Sequence, residues 1–290
     1  MAVPPPTDPG FLDPQLPDQP VPPPPPPLAT AEVIQQSDVD LIDVVLIVIA
    51  ALASTVIAAV LAIIVVELLG HARGFNPAQM TTNAFFVVPT QFLSYIIVVG
   101  FMAFLASVRH NQSLGRAVRW NLPVGKLALA AMGAGAALGV CSDLASVALQ
   151  RWTPKSLPIE DYFKTPGSGY LLAAFGVLVA PLVEELFFRG FLYPALARWT
   201  GSFASILITA AAFASLHGAQ LAYSWAPLLV LFVVGAVLTT IRARTKSVAT
   251  CVLVHMGYNL LLFIILFIST GGFHHMERAE LSGISGDLIT

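Results

Sequence analysis

The sequence predicts an all-α, polytopic membrane protein, a transmembrane helix bundle of seven to eight spans. Three observations predict it. The chain is 57% hydrophobic and only 10% charged, whereas soluble domains carry about a quarter charged residues. Its mean hydropathy is +0.80. Seven apolar runs are each long enough to cross a bilayer, which takes about 17–25 helical residues at roughly 1.5 Å each. The net charge of −2 and the lack of any long basic run give no footing for a nucleic-acid partner.

The elements follow in order. Residues 1–37 read as a disordered tail: 13 of the 22 prolines fall before residue 28, and the first 40 residues carry six acids and no Lys or Arg. Polyproline stays extended and builds no core. No basic segment precedes an apolar run there, so a signal peptide is not expected. The spans are read as 41–67, 84–108, 127–149, 169–197, 202–222, 225–241 and 248–269, with a short interfacial helix near 72–83 as the candidate eighth. Residues 38–165 thus form an N-terminal set of helices, 166–270 a second set, and 271–290 a flexible tail. In the third span Gly135 and Gly139 form a GxxxG, a spacing that lets helices approach closely. Cys141 and Cys251 lie in apolar runs as small hydrophobes, without metal-site spacing. Loops with Arg109, Arg116, Arg119, Lys126, Arg198, Arg242, Arg244 and Lys246 oppose loops with Arg73, Arg151, Lys155, Lys164 and Arg278. This balance predicts a cytoplasmic N-terminus for a multi-pass protein of the cell membrane.

Polar residues inside the apolar runs are the informative ones. Residues 182–190 read LVEELFFRG. Each charged group at the bilayer centre costs about 2.5–3.5 kcal/mol on insertion scales, so compensation is required. Glu185 and Arg189 are spaced i, i+4 with the acid first, the favourable order for a helical ion pair. Glu184 points about 100° away and has no such partner in its own helix. Pro181 cannot donate to the carbonyl of Val177, so the helix bends there and opens room for a water pocket beside the acids. Two further stations follow, Phe213 and His217 in FASLH and His255 and Asn259 in HMGYN. Each pair is four apart, on one helix face. Glu184 and His217 lie 16–17 residues either side of a turn at Thr200–Gly201, hence at equal depth, roughly 24 Å from it. His255 and Asn259 lie about 16 and 22 Å beyond the turn near Arg244. One carboxylate, two imidazoles and a carboxamide can therefore share a layer. Asp143 is a further intramembrane acid, expected to bind across to a neighbouring helix or to line the cavity.

A carboxylate in such a layer can act as general base toward water. A His can position the same water, and an Asn amide with a second His can donate to a developing oxyanion. This suits hydrolysis of an amide. Two His and one Glu are also the ligands of a catalytic zinc site, here Glu184, His217 and His255. Without an HExxH motif the metal-free reading is favoured, so no cofactor is favoured, with zinc the alternative.

EELFFR (184–189) resembles the EExxxR motif, FASLH (213–217) the FxxxH motif, and HMGYN (255–259) the HxxxN motif. In this order, on successive spans, they resemble the CPBP family of intramembrane proteases, which includes the CAAX prenyl endopeptidases and bacterial bacteriocin-processing or self-immunity proteins. The resemblance covers roughly 165–270. It implies a bundle of about eight helices enclosing a polar intramembrane cavity, and an endopeptidase acting on a peptide or lipidated-peptide substrate in the bilayer. It implies Glu184 as the water-activating acid, His217 as its partner, His255 and Asn259 as the oxyanion and positioning pair, and Glu185, Arg189 and Phe213 as supporting residues. The family has been described both as glutamate proteases and as metalloproteases. The rival readings are a non-catalytic immunity or partner-binding protein and a proton-coupled transporter, for which the chain lacks a recognisable internal repeat.

Overall fold

The computed structural model describes residues 1–3, 39–70 and 77–276. The expected proline-rich tail and residues 277–290 of the expected C-terminal tail lie outside the described residues, apart from the first three. Among the described residues every regular element is helical. The bundle comprises α1 (Leu41–Gly70), α2 (Ala84–His110), α3 (Lys126–Leu149), a long irregular rod α4 (166–200), α5 (202–216), α6 (Trp225–Thr245) and α7 (Val248–Ser269). The interfacial helix expected near 72–83 is realised as a 3-10 helix at Pro77–Thr82, with 71–76 outside the described residues.

Six continuous helices are long and apolar enough to cross a membrane, one of them the 51-residue stretch Pro166–Leu216. That stretch breaks at Gly201, whose φ of 74° and ψ of 170° are non-helical and easy only for glycine. The chain folds back there. Phe188 and Phe213, 25 residues apart, stack edge to face with centroids 5.2 Å apart, where an unbroken helix would separate them by roughly 37 Å. The Tyr193 hydroxyl bonds the Ser202 hydroxyl at 2.9 Å across the turn. The stretch is therefore the antiparallel hairpin the sequence predicts, and the seven apolar runs appear as seven helices.

Packing follows from small residues and caps. α3 lies along α7, the most extensive helix pair in the bundle. A Cβ at Gly135 would collide with the Val254 carbonyl, and one at Gly257 with the Met132 carbonyl. The backbones touch where each helix presents a glycine, so the GxxxG of α3 works inside the molecule. Ser247 caps α7 by accepting from Thr250 N at 3.1 Å. A reciprocal Thr165–Ser168 capping box starts α4, a device that satisfies two of the orphan donors at a helix start. On α1 large side chains such as Leu52, Val56 and Leu68 are more than half exposed. In water that surface is a liability; in a bilayer it meets its proper solvent. The protein is a multi-pass membrane protein. Residues 271–276, assigned from sequence to the flexible tail, turn back so that Phe273 is buried against Tyr170 and Phe163.

α1 and α2 are joined at one end by charge. Asp43 is fully buried and receives Arg109 Nε at 2.6 Å and His110 Nε2 at 2.8 Å, while Asp40 receives Arg109 Nη2 at 3.0 Å. The sequence marks Asp40 only as one of six acids in the first 40 residues and gives no sign of its partner Arg109, 69 positions on. Asp143, expected to bind across to another helix or to line the cavity, is half-buried and hydrogen-bonds no described residue.

Candidate functional site

The site is built around the irregularity of α4. Pro181 has no N–H for the Val177 carbonyl, and the turns on either side widen. Phe175–Val179 and Leu186–Leu192 are π-helical, and Ala180–Glu185 between them is α-helical. The expected bend is thus a pair of π segments, a form of helix enriched at functional sites. Widening displaces carbonyls from the regular ladder, and partners from other helices take them. Asn259 Nδ2 donates to the Gly176 carbonyl at 2.7 Å, and Arg242 Nε donates to the Arg189 carbonyl at 2.9 Å.

Glu185 and Arg189 are both wholly buried, and Arg189 Nη1 donates to Glu185 Oε1 at 2.7 Å. The same carboxylate oxygen accepts from His255 Nδ1 at 2.9 Å. Arg189 Nη2 continues to the Gly235 carbonyl at 3.0 Å, and its guanidinium carbon lies 4.9 Å from the centroid of the Phe213 ring. A carboxylate can only accept, so Nδ1 of His255 carries the proton and Nε2 is its free edge. That Nε2 is buried and has no protein hydrogen-bond partner.

Phe213, also fully buried, is the hub of the aromatic cluster. Its ring centroid is 5.0 Å from that of His217 and 5.9 Å from that of His255. His217 ends α5, and its Nδ1 meets the Phe213 carbonyl at 2.9 Å. A carbonyl accepts, so Nδ1 is again the protonated nitrogen and Nε2 the one left for chemistry.

Glu184 faces the other way. It is half-buried, its Oε2 is buried without a protein partner, and it forms part of the wall of a cavity of about 260 Å³ between α1, α2 and α4. The cavity also reaches Leu216, the neighbour of His217, and is lined mainly by apolar side chains with Thr55, Gln91, Ser94 and Tyr95 among them. This wall is apolar with polar points, where the family resemblance implied a polar enclosure.

Glu185, Arg189, Phe213, His217 and His255 therefore form one connected cluster, and Asn259 holds the π turn one helical turn beyond His255. Among the described residues no direct hydrogen bond joins Glu184 to either histidine. Among the described residues no group of three His, Cys, Asp or Glu side chains could hold a metal ion, so Glu184, His217 and His255 are not assembled as a ligand set. The sequence reading missed Arg242. It counted this residue among the loop charges that set orientation, but it is 4% exposed inside α6 and bonds the Arg189 and Val118 carbonyls. Nothing in its local pattern separates it from Arg244, because cations are common in the last turn of a span. Ser215, two residues from His217, bonds the Ala211 carbonyl.

Residues 166–261 match the family model of the type II CAAX prenyl endopeptidases, Rce1-like. No curated protein and no solved structure matches the chain. The matched stretch starts at the capping box of α4 and ends two residues after Asn259, so it takes in all three stations.

Proposed function

We propose, from the premise that this chain belongs to the CPBP family of CAAX-type intramembrane proteases, that it hydrolyses a peptide bond within the bilayer using water activated by Glu184. A protease of this kind takes a peptide substrate in a lipid environment. One observation carries the finer reading: each of the two adjacent carboxylates keeps a buried Oε2 without a protein partner, but Glu185 is fully enclosed and bonded through Oε1 to Arg189 and His255, whereas Glu184 lies on a cavity wall. A base must have a free lone pair and reach a water.

In this reading Glu184 takes a proton as water oxygen bonds to the carbonyl carbon. The developing oxyanion is met by donors from the His255–Asn259 face. A donor at His255 Nε2 requires the imidazolium form, in which Nδ1 also donates to Glu185. The C–N bond then breaks, the proton held by Glu184 passes to the departing nitrogen, and a carboxylate and an amine result. His217, with Nδ1 bound to the Phe213 carbonyl, presents Nε2 to the same water. Water between Glu184 and the histidines is what a hydrolase of this type requires, so the lack of direct bonds among them accords with it. Glu185, Arg189 and Arg242 hold the frame. The N-terminus is cytoplasmic and the compartment is the cell membrane in this reading.

The test is purified protein in proteoliposomes, given a farnesylated CAAX peptide and an unmodified transmembrane peptide, with and without chelator. The expected result is cleavage by wild type that survives the chelator and falls by about 10²–10⁴ in Glu184→Gln. Cleavage abolished by chelator and restored by zinc transfers the mechanism to the metal reading. A Glu184→Gln variant that cleaves normally removes Glu184 as base.

A further inference from the structure

The cavity at Glu184 has a second wall that the three stations do not supply. It comes from α1 and α2, outside the residues that match the family model. Of its polar members, Ser94 and Thr55 are already committed. The Ser94 hydroxyl bonds that of Ser54 at 2.8 Å and lies 3.3 Å from that of Thr55, and Thr55 donates to the Ala51 carbonyl at 2.9 Å. These bonds tie α1 to α2. Gln91 and Tyr95, one turn apart on α2, remain as the polar groups of that wall.

Tyr95 is held in place. Its ring stacks on Phe175 with centroids 5.6 Å apart and planes 20° from parallel, and Phe175 opens the first π segment of α4. The phenol O–H is a donor on the cavity wall. The stack ties the ring to the same distortion that shapes the site. Glu184 and Tyr95 line one cavity, and no hydrogen bond joins them. A phenol and a carboxylate facing each other across a cavity leave room for a group that accepts from one and is attacked with help from the other. A peptide unit has that chemistry: its carbonyl accepts from O–H, and its carbon takes the activated water. The lipid side of the cavity includes Leu52, 67% exposed, so a peptide embedded in the bilayer can reach it laterally.

We propose that Tyr95 is a substrate-binding residue, its hydroxyl donating to a backbone carbonyl of the membrane-embedded peptide that lies in the α1–α2 cavity against Glu184. This rests on the reading of Glu184 as the base. It also gives the N-terminal helices a role in the reaction, through substrate positioning rather than through the chemical step.

The experiment is steady-state cleavage of the farnesylated CAAX peptide and of the unmodified transmembrane peptide by the full chain in proteoliposomes. Tyr95→Phe removes one oxygen and keeps the stack on Phe175. Its expected result is a rise in KM of about tenfold, the scale of one lost hydrogen bond at the strong end of the range. kcat should stay within about threefold and the melting temperature should not move. Gln91→Leu, the second variant, should raise KM by a smaller factor. On the Glu184→Gln background, Tyr95→Phe should weaken peptide binding by the same factor as it raises KM. An unchanged KM and an unchanged binding constant overturn the proposal, and an inactive Glu184→Gln then leaves the protease reading intact. A Glu184→Gln variant of normal activity removes the base while a KM effect at Tyr95 still marks the subsite. A wild-type protein inert on both peptides overturns both.

Discussion

Glu184 and Glu185 are neighbours in the chain and opposites in environment. A step of about 100° around the helix puts Glu185 against Arg189 and His255 in the closed interior, and Glu184 against a cavity bounded by α1 and α2. The first is an enclosed charge that takes two donors through Oε1 and leaves Oε2 buried without a partner. The second is a carboxyl placed where its own lone pairs are left for something else. The difference teaches that a buried acid is not by itself a sign of chemistry in a membrane. The sign is an acid that opens on a cavity without a protein partner beside another that is enclosed and bonded.

The comparison can be broken from the structural side first. Arg189→Ala leaves Glu185 buried with only His255, and removing one partner of a buried pair costs about 3–5 kcal/mol. The expected outcome is a large loss of folded yield and a lower melting temperature; normal yield with a dead site would contradict it. The double variant Glu185→Gln with Arg189→Met should recover some of that stability, because no lone charge is left behind. Next comes the close crossing of α3 and α7. Gly135→Val or Gly257→Val must push apart backbones that are in contact, and overpacking of this kind costs about 1–3 kcal/mol. Thermal melting in detergent measures it, and an unchanged midpoint would refute the close crossing. Smaller again is the charge tie between α1 and α2. Asp43→Asn should lower the melting temperature by a few degrees through the loss of its bonds to Arg109 and His110.

The smallest effect is a pH effect at Asp40. Burial raises its pKa, but the backbone N–H groups of Asp43 and Ile42 and the charge of Arg109 outweigh this and hold the carboxyl below its ordinary 3.8. A group whose pKa is lowered by folding stabilises the fold above the unfolded value, and that contribution is lost as pH falls through the folded value. Stability of the α1–α2 end should therefore decline below about pH 3.8 and be flat above it as far as Asp40 is concerned. The comparison of wild type with Asp40→Asn in an acid titration measures this. The pair is partly exposed, so the effect is small.

Much of this was legible in the sequence because the polar residues stand out against an apolar ground. Seven runs, a turn at Gly201, the Glu185–Arg189 pairing and the convergence of Phe213, His217 and His255 follow from spacing and helical rise alone. Pro181 marked the distortion, but spacing assumes a regular helix and could not show that the bend is shared between two π segments. Those segments rotate the residues after them, which is why Glu185 rather than Glu184 meets His255. Arg242 was read as a loop charge since a cation near a span end looks the same whether it faces headgroups or a displaced carbonyl. Tyr95 was invisible because an aromatic residue in an apolar span has no periodic signal of its own, and its partner in the cavity lies 89 positions away in the chain.

The central claim is that two adjacent carboxylates divide the work, Glu185 holding the fold and Glu184 driving water. Its most direct test sets Glu184→Gln beside Glu185→Gln and measures, for each, single-turnover peptide cleavage and melting temperature in the same proteoliposomes. The account predicts that Glu184→Gln loses cleavage by a factor of about 10² or more with its melting temperature kept, and that Glu185→Gln lowers the melting temperature by several degrees. A Glu184→Gln protein that cleaves like wild type, or a Glu185→Gln protein that melts like wild type but is inert, would contradict it.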